Sequence, residues 1–152
     1  MSEDSVFKEN LFKGKKVFIT GGATGMGLGF AQAFLNHGAE VFIASRKEDK
    51  LKQATEETEK KFGKKLIWKT MDVRNNETVE EAIQFLNSEW GELDILVNNA
   101  AGNFVAPIAS MSENAWRAVV DIVLDGTFRV SKASYPLLRK AKGGASIVNI
   151  IA

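Results

Sequence analysis

The feature that most constrains the fold of this chain is a regular alternation of short apolar runs with amphipathic stretches. The apolar runs are rich in β-branched residues and predict buried strands over residues 16–20, 39–45, 65–71, 93–97 and 146–151. Helical spacing predicts helices over 26–36, 47–62 and 77–90, and a longer one from an N-cap at Ser112 to about 142, bent near Pro136. Because strands that alternate with helices imply right-handed βαβ crossovers and a parallel sheet, the sequence predicts an α/β fold with a doubly wound sheet of order 3-2-1-4-5.

Composition argues against several classes of protein. The 152 residues carry a formal net charge of +1, which gives no long-range attraction to nucleic acid or to an anionic membrane. The chain has no cysteine, which excludes disulfides, thiolate metal sites and cysteine nucleophiles. Its polar, acidic N-terminus does not resemble a leader peptide, and no apolar run reaches the about 20 residues of a membrane helix. We therefore expect a cytoplasmic protein with no metal, no membrane association and no nucleic-acid partner.

A glycine-rich turn, "TGGATGMG", joins the first predicted strand to the first predicted helix. Glycines let the backbone turn tightly and approach a pyrophosphate, and the helix N-terminus offers free N–H groups. The spacing is T-G-x-x-x-G-x-G and not G-x-G-x-x-G, since the third glycine of the latter would fall at Phe30. A tight turn without a ligand is the alternative interpretation. The predicted cofactor loop consists of Gly21, Gly22, Ala23, Thr24, Gly25, Met26 and Gly27.

The end of the second predicted strand indicates which dinucleotide binds. A carboxylate at this point would accept a hydrogen bond from the ribose 2′-hydroxyl of NAD, whereas a cation would favour the 2′-phosphate of NADP. The sequence there is "IASRK", with Ser45 and Arg46 followed by Lys47, and the nearest acids belong to the next helix. We therefore expect NADP(H), with a solvated charge pair as the alternative for Arg46 and Lys47.

Two further motifs follow strands three and four: "MDVR" contains Asp72, and "NNAAG" covers residues 98–102. Together with the glycine turn, they make the chain resemble the short-chain dehydrogenase/reductase family over nearly its whole length. The resemblance implies a Rossmann-type fold in which Asp72 and Val73 face the adenine. It also implies that Asn99, Ala100 and Ala101 line the path towards the nicotinamide.

The catalytic residues of that family are a Ser after strand five and a Tyr-x-x-x-Lys motif on the next helix. The single tyrosine here, Tyr135, precedes strand five and is followed by Arg139 instead of Lys, so we interpret it as a packing residue. We predict no catalytic residue within residues 1–152. We expect these residues to form one NADP-binding domain, incomplete before its last strands and inactive alone.

Two departures from the common family pattern resemble one branch, the 2,4-dienoyl-CoA reductases. "NNAAGNF" carries an extra alanine, and Val123 stands where many members have the Asn of a proton relay. By this resemblance Asn103 hydrogen-bonds a thioester carbonyl and Phe104 lies beside the acyl chain. Arg74 and Ser112 are candidates for CoA phosphate. The alternatives are a turn-capping Asn103, a solvated Arg74 and an N-capping Ser112.

The resulting hypothesis is an NADPH-dependent reductase of an enoyl thioester in fatty acid metabolism, with 2,4-dienoyl-CoA as substrate. A carbonyl/alcohol oxidoreductase, such as a 3-oxoacyl reductase, is the alternative enzyme. A non-catalytic NADP-binding module is the alternative of another class. The resemblance also implies a homo-oligomer, a tetramer in the full-length form, with subunit contacts on the long fourth helix.

Overall fold

The computed structural model describes residues 7–102 and 106–151, which form one five-stranded parallel sheet with helices on both faces. The strand order is β3-β2-β1-β4-β5, which confirms the predicted fold class and topology. The strands are β1 Lys16–Thr20, β2 Glu40–Ser45, β3 Ile67–Thr70, β4 Ile95–Asn98 and β5 Ser146–Asn149. The helices are α1 Gly25–Asn36, α2 Glu48–Phe62, α3 Asn76–Glu89, α4 Glu113–Val120 and α5 Gly126–Leu138.

Alternate residues of the central strands feed two separate hydrophobic clusters, one on each face of the sheet. Phe18, Phe42 and Leu96 point to the face that α3 and α5 cover. Their chain neighbours, such as Val17 and Ile43, point to the face that α1 and α2 cover. Successive side chains of a strand point to opposite faces of the sheet, and both faces are buried. The strands therefore appear in the sequence as continuous apolar runs.

The long fourth helix of the sequence interpretation is divided in the structure. A π-helical segment, Asp121–Asp125, separates α4 from α5. At the start of α5, a Cβ on Gly126 would lie 2.7 Å from a methyl of Val73, so α5 begins where a residue without a side chain passes the β3–α3 loop. Single-turn π segments of this kind often lie at functional sites.

The predicted end of this helix near residue 142 is wrong by about a turn, because α5 ends at Leu138. Pro136 lies inside its last turn and has no N–H to donate. The next amides make shorter-range bonds, from Lys140 N to Leu137 O at 3.1 Å and from Ala141 N to Leu138 O at 3.2 Å. The helix therefore tightens and stops soon after the proline.

The interpretation of Tyr135 as a packing residue is also wrong. It lies on α5, but the residue is 58% exposed and its ring lies under the Arg139 guanidinium, 5.8 Å from the ring centroid. Within the described residues, no helix is both long enough and apolar enough to cross a membrane.

Candidate cofactor site

A cleft of 430 Å³ opens at the carboxyl edge of the sheet, where the loops after β1, β2, β3 and β4 meet. Parallel sheets bind ligands at this edge, on either side of the point where the strand order reverses. The cleft is lined by most of the residues that the sequence predicts for the cofactor: Gly21, Thr24, Met26, Gly27, Ser45, Arg46, Asp72, Val73, Asn99, Ala100 and Ala101.

Three predicted residues, Gly22, Ala23 and Gly25, do not line the cleft. A Cβ on Gly22 would lie 2.5 Å from a methyl of Ile43, so this glycine lets the turn pack on the sheet. Ala23 is 5% exposed and belongs to the core under α1. Gly25 begins α1 with a φ of +55°, a conformation that favours glycine. These residues set the conformation of the loop, and their neighbours line the cleft.

The first turn of α1 is suited to bind an anion. Thr24 is its N-cap residue but its side chain makes no capping hydrogen bond, and the first turn carries no acidic residue. In contrast, α3 is capped by Asn75 and α4 by Ser112. Because uncapped N–H groups at a helix N-terminus attract negative charge, this turn matches the needs of a diphosphate.

Gly27 keeps this first turn close to the loop after β4. A Cβ at this position would overlap the Gly21 carbonyl oxygen and would lie 2.5 Å from Asn99 Nδ2. The same Asn99 amide donates to the carbonyl oxygens of Thr20 and Gly21, at 3.1 and 3.3 Å. The glycine turn and the "NNAAG" loop are therefore one connected unit.

The Thr20 side chain links the glycine turn to the loop after β4. Its buried hydroxyl accepts hydrogen bonds from the backbone N–H of Asn99 at 3.0 Å and of Ala100 at 2.9 Å. In the sequence Thr20 stands out only as part of the glycine-turn motif, and nothing there indicates this role. A threonine at a strand end is too common for sequence alone to predict such a contact.

Positive charge collects where β2 ends. Arg46, Lys47 and Lys50 all line the cleft beside Ser45. Glu48, the nearest acid in sequence, pairs with Lys52 at 2.7 Å on α2. Lys50 was not among the predicted site residues, although it lies about one helical turn after Lys47 and lines the same cleft.

Among the described residues that line this cleft, Asp72 is the one carboxylate, and it is paired with Arg74. The Nη2–Oδ2 distance is 2.6 Å, Nε lies 3.0 Å from Oδ1, and the Arg74 backbone N–H also donates to Oδ1. The side-chain hydrogen bond from Arg74 lowers the pKa of Asp72, and the charge of Arg46 adds to the effect. Asp72 is therefore held as a carboxylate at neutral pH.

Of the four residues predicted for the substrate, the two that the structure describes, Arg74 and Ser112, do not line this cleft. Asn103 and Phe104 lie outside the described residues. Arg74 contacts Asp72 from outside the cleft lining. The Ser112 hydroxyl accepts a hydrogen bond from Ala115 N at 3.2 Å and so acts as the N-cap of α4. A CoA-binding role for Arg74 or Ser112 stays a prediction.

Sequence reasoning missed three apolar contributors to the cleft, namely Ala44, Met71 and Ile122. Ala44 and Met71 lie at strand ends beside residues that were selected. Ile122 comes from the π segment, and its side chain covers Gly102, where a Cβ would lie 2.6 Å from Ile122 Cδ1. No periodicity in the sequence indicates a π segment, so nothing in the sequence identified Ile122 as a residue that lines the cleft.

These residues fit a dinucleotide phosphate. The uncapped α1 turn provides N–H donors, a close-packed glycine turn leaves room for a diphosphate, and the cations after β2 supply charge for a further phosphate. The arrangement can bind and orient such a group.

The family model described as short chain dehydrogenase matches residues 15–152. The chain belongs to the short-chain dehydrogenase family. A peroxisomal 2,4-dienoyl-CoA reductase of Danio rerio, described as (3E)-enoyl-CoA-producing, is 40% identical over 147 residues. That match covers 97% of this short-chain dehydrogenase and 49% of the relative, so the chain spans about half the length of the curated relatives it matches.

Solved structures of the family share the fold. A short chain dehydrogenase from Bacillus anthracis is 41% identical, with a TM-score of 0.81 and coverage of 91% of this chain and 57% of that one. L-Sorbose reductase from Gluconobacter frateurii, solved in complex with NADPH and L-sorbose, is 30% identical. Its TM-score is 0.82, with coverage of 90% and 52%.

Proposed function

We propose that this short-chain dehydrogenase is an NADPH-dependent reductase of enoyl thioesters, with 2,4-dienoyl-CoA as its substrate. The observation that carries the cofactor is the group of cations after β2, beside a cleft carboxylate that another arginine already pairs. The similarity to dienoyl-CoA reductases at 40% identity supports the substrate.

The cofactor would be held by groups from four strand ends. The first turn of α1 would hold the diphosphate, Ser45 and Arg46 the 2′-phosphate, and Asp72 the adenine edge. Asn99, Ala100 and Ala101 would line the nicotinamide end. When bound, NADPH supplies a hydride to the substrate. The chain's own contribution is to hold and orient the cofactor through the linked glycine turn and "NNAAG" loop.

Charge reversal at Arg46 tests the cofactor assignment. A charge-assisted phosphate contact contributes about 1.5–3 kcal/mol, so Arg46→Asp should weaken NADPH binding about tenfold or more while NADH binding changes little. Arg139→Asp, a matched change of an exposed arginine that does not line the cleft, is the control. An unchanged preference in Arg46→Asp would refute the assignment.

The proposed substrate role of Asn103 rests on the family resemblance. An amide that donates to the thioester carbonyl would stabilise the enolate character that develops when hydride adds at the far end of a diene. In a longer form of the protein that turns over 2,4-dienoyl-CoA, Asn103→Leu should lower turnover about 10²–10³-fold with NADPH binding retained. Wild-type turnover in Asn103→Leu, or a preference for 3-oxoacyl substrates, would refute the branch assignment.

We further propose that residues 1–152 by themselves bind NADPH without turning over dienoyl-CoA. Tyr135 has Arg139 four positions later, and its exposed ring lies outside the cofactor cleft. Incubation of the chain with NADPH and 2,4-dienoyl-CoA, followed by NADPH absorbance, tests this directly. Turnover comparable with that of a longer form would show that a catalytic acid lies within these residues.

Assembly and location are also proposals. Exposed Trp116, Leu124 and Phe128 on the α4–α5 segment support subunit contacts there and a tetramer of the longer protein. Light scattering of that protein tests the assembly, and a monomer would contradict it. The cytoplasmic location stays a prediction from the sequence, whereas the name of the Danio rerio relative assigns that protein to the peroxisome.

A further inference from the structure

The charges beside the cofactor cleft are arranged in two layers. Arg46 lines the cleft, and within residues 7–102 and 106–151 it makes neither an ion pair nor a side-chain hydrogen bond. Asp72 lines the same cleft, and Arg74 approaches it from outside the lining. The carboxylate is therefore bonded to an arginine outside the cleft lining, while the arginine inside the cleft has no bonded partner among the described residues.

Arg74 occupies most of the acceptor capacity of Asp72. Its Nε lies 3.0 Å from Oδ1 and 3.2 Å from Oδ2, and its Nη2 lies 2.6 Å from Oδ2. The Arg74 backbone N–H takes a further position on Oδ1 at 3.0 Å. This forked geometry is the strong form of an arginine–carboxylate pair.

The loop around the pair is held in place independently of Arg74. Thr78 Oγ1 donates to the Asp72 carbonyl oxygen at 3.0 Å, and the Asp72 N–H donates back to Thr78 Oγ1 at 3.1 Å. Asn75 N–H donates to the same carbonyl at 3.0 Å. The position of the Asp72 backbone therefore does not depend on the ion pair, and a change at Arg74 acts mainly on charge.

We propose that Arg74 is a positioning residue for cofactor specificity, which neutralises Asp72 so that Arg46 stays free to receive the 2′-phosphate of NADPH. This inference rests on the proposed function. Without Arg74, Asp72 would be an unpaired anion in the cleft that attracts Arg46 and repels a phosphate. Arg46 and Asp72 line the same cleft, and the charge of Arg46 helps to lower the pKa of Asp72.

The test is the ratio of NADH to NADPH dissociation constants for the chain, because effects on the shared adenine and diphosphate cancel in a ratio. Arg74→Gln should reduce this ratio about fivefold, the size of one charge effect near a surface. The double variant Asp72→Asn/Arg74→Gln removes the unpaired carboxylate and should restore the ratio. A merely structural role for Arg74 would not produce this recovery.

Arg74→Lys keeps the charge without the fork and should retain part of the preference, and it serves as a second variant if Arg74→Gln does not fold. An unchanged ratio in Arg74→Gln, or no recovery in the double variant, would overturn the proposal. Weaker binding of CoA with an unchanged ratio would also overturn the proposal, and it would favour the CoA-phosphate role of Arg74 instead. A wild-type ratio near one would refute the NADPH assignment itself, and the two failures are thus distinguishable.

Discussion

Replacement of Thr20 by valine tests the link between the two loops that form the cleft. Valine has the same shape as threonine but no acceptor, so the backbone N–H groups of Asn99 and Ala100 would lose their common partner. Thr20 is 1% exposed, which makes it hard for water to replace the lost hydroxyl. The glycine turn would then lose one of its connections to the loop after β4.

The magnitude follows from the two donors. An unsatisfied buried donor costs about 1–3 kcal/mol, and two at a partly buried site give about 2–4 kcal/mol. In a domain of about this size each kcal/mol shifts the melting temperature by about 2–4 °C, so Thr20→Val should melt roughly 4–16 °C lower. Thr20→Ser keeps the acceptor, loses one methyl group and should cost about 1 kcal/mol.

Denaturant unfolding of the three proteins measures these differences, and hydrogen exchange locates them. The amide protons of Asn99 and Ala100 should exchange faster in Thr20→Val than in Thr20→Ser, because they lose their acceptor only in the former. A valine variant as stable as the serine variant, with unchanged exchange at these amides, would refute the reasoning. The hydroxyl would then not hold the two loops together.

Three further predictions follow from named contacts. Gly27→Ala places a Cβ against Gly21 and Asn99 and should lower both stability and NADPH affinity, whereas Gly29→Ala, which meets nothing within 4 Å, should do neither; equal effects in titration and melting would contradict this. Asn75→Ala removes the cap of α3 and should cost about 1 kcal/mol in denaturant unfolding, while Asn75→Asp should keep most of it; no loss in the alanine variant would contradict the cap. The paired Asp72 has a lowered pKa, so its contribution is present above about pH 4 and is lost as the pH falls through the lower, folded-state value. The stability difference between wild type and Asp72→Asn should accordingly be flat near neutrality and shrink below about pH 4, and a difference that grows on acidification would contradict the sign.

The sheet could be predicted from the sequence because its signals are local and repeated. Each of the first four strand runs is short, apolar and followed by a helical period, which indicates a parallel doubly wound sheet, and 3-2-1-4-5 is a common strand order of such sheets. The glycine turn, Asp72 and the "NNAAG" loop fall together because the carboxyl ends of parallel strands share one edge. Position in a motif was therefore enough to place these residues in one cleft.

The features that could not be predicted depend on contacts between distant segments. The π segment that brings Ile122 over Gly102 is a packing result, and the hydroxyl of Thr20 acts on residues about eighty positions away. The predicted end of the fourth helix was also too late, since the structure ends it at Leu138, two residues after Pro136, where Lys140 and Ala141 bond to carbonyls three residues back. Tyr135 was assigned to packing because it precedes strand five and is followed by Arg139 instead of Lys, and only the orientation of α5 shows that it is exposed.

The central claim is that the cleft after β2 selects NADPH by charge. Calorimetric titration of the wild-type chain with NADPH and with NADH at one ionic strength tests it most directly. The account predicts that NADPH binds about tenfold or more tightly, with a preference that weakens as salt screens the 2′-phosphate contacts. Equal affinities, or tighter binding of NADH, would contradict it.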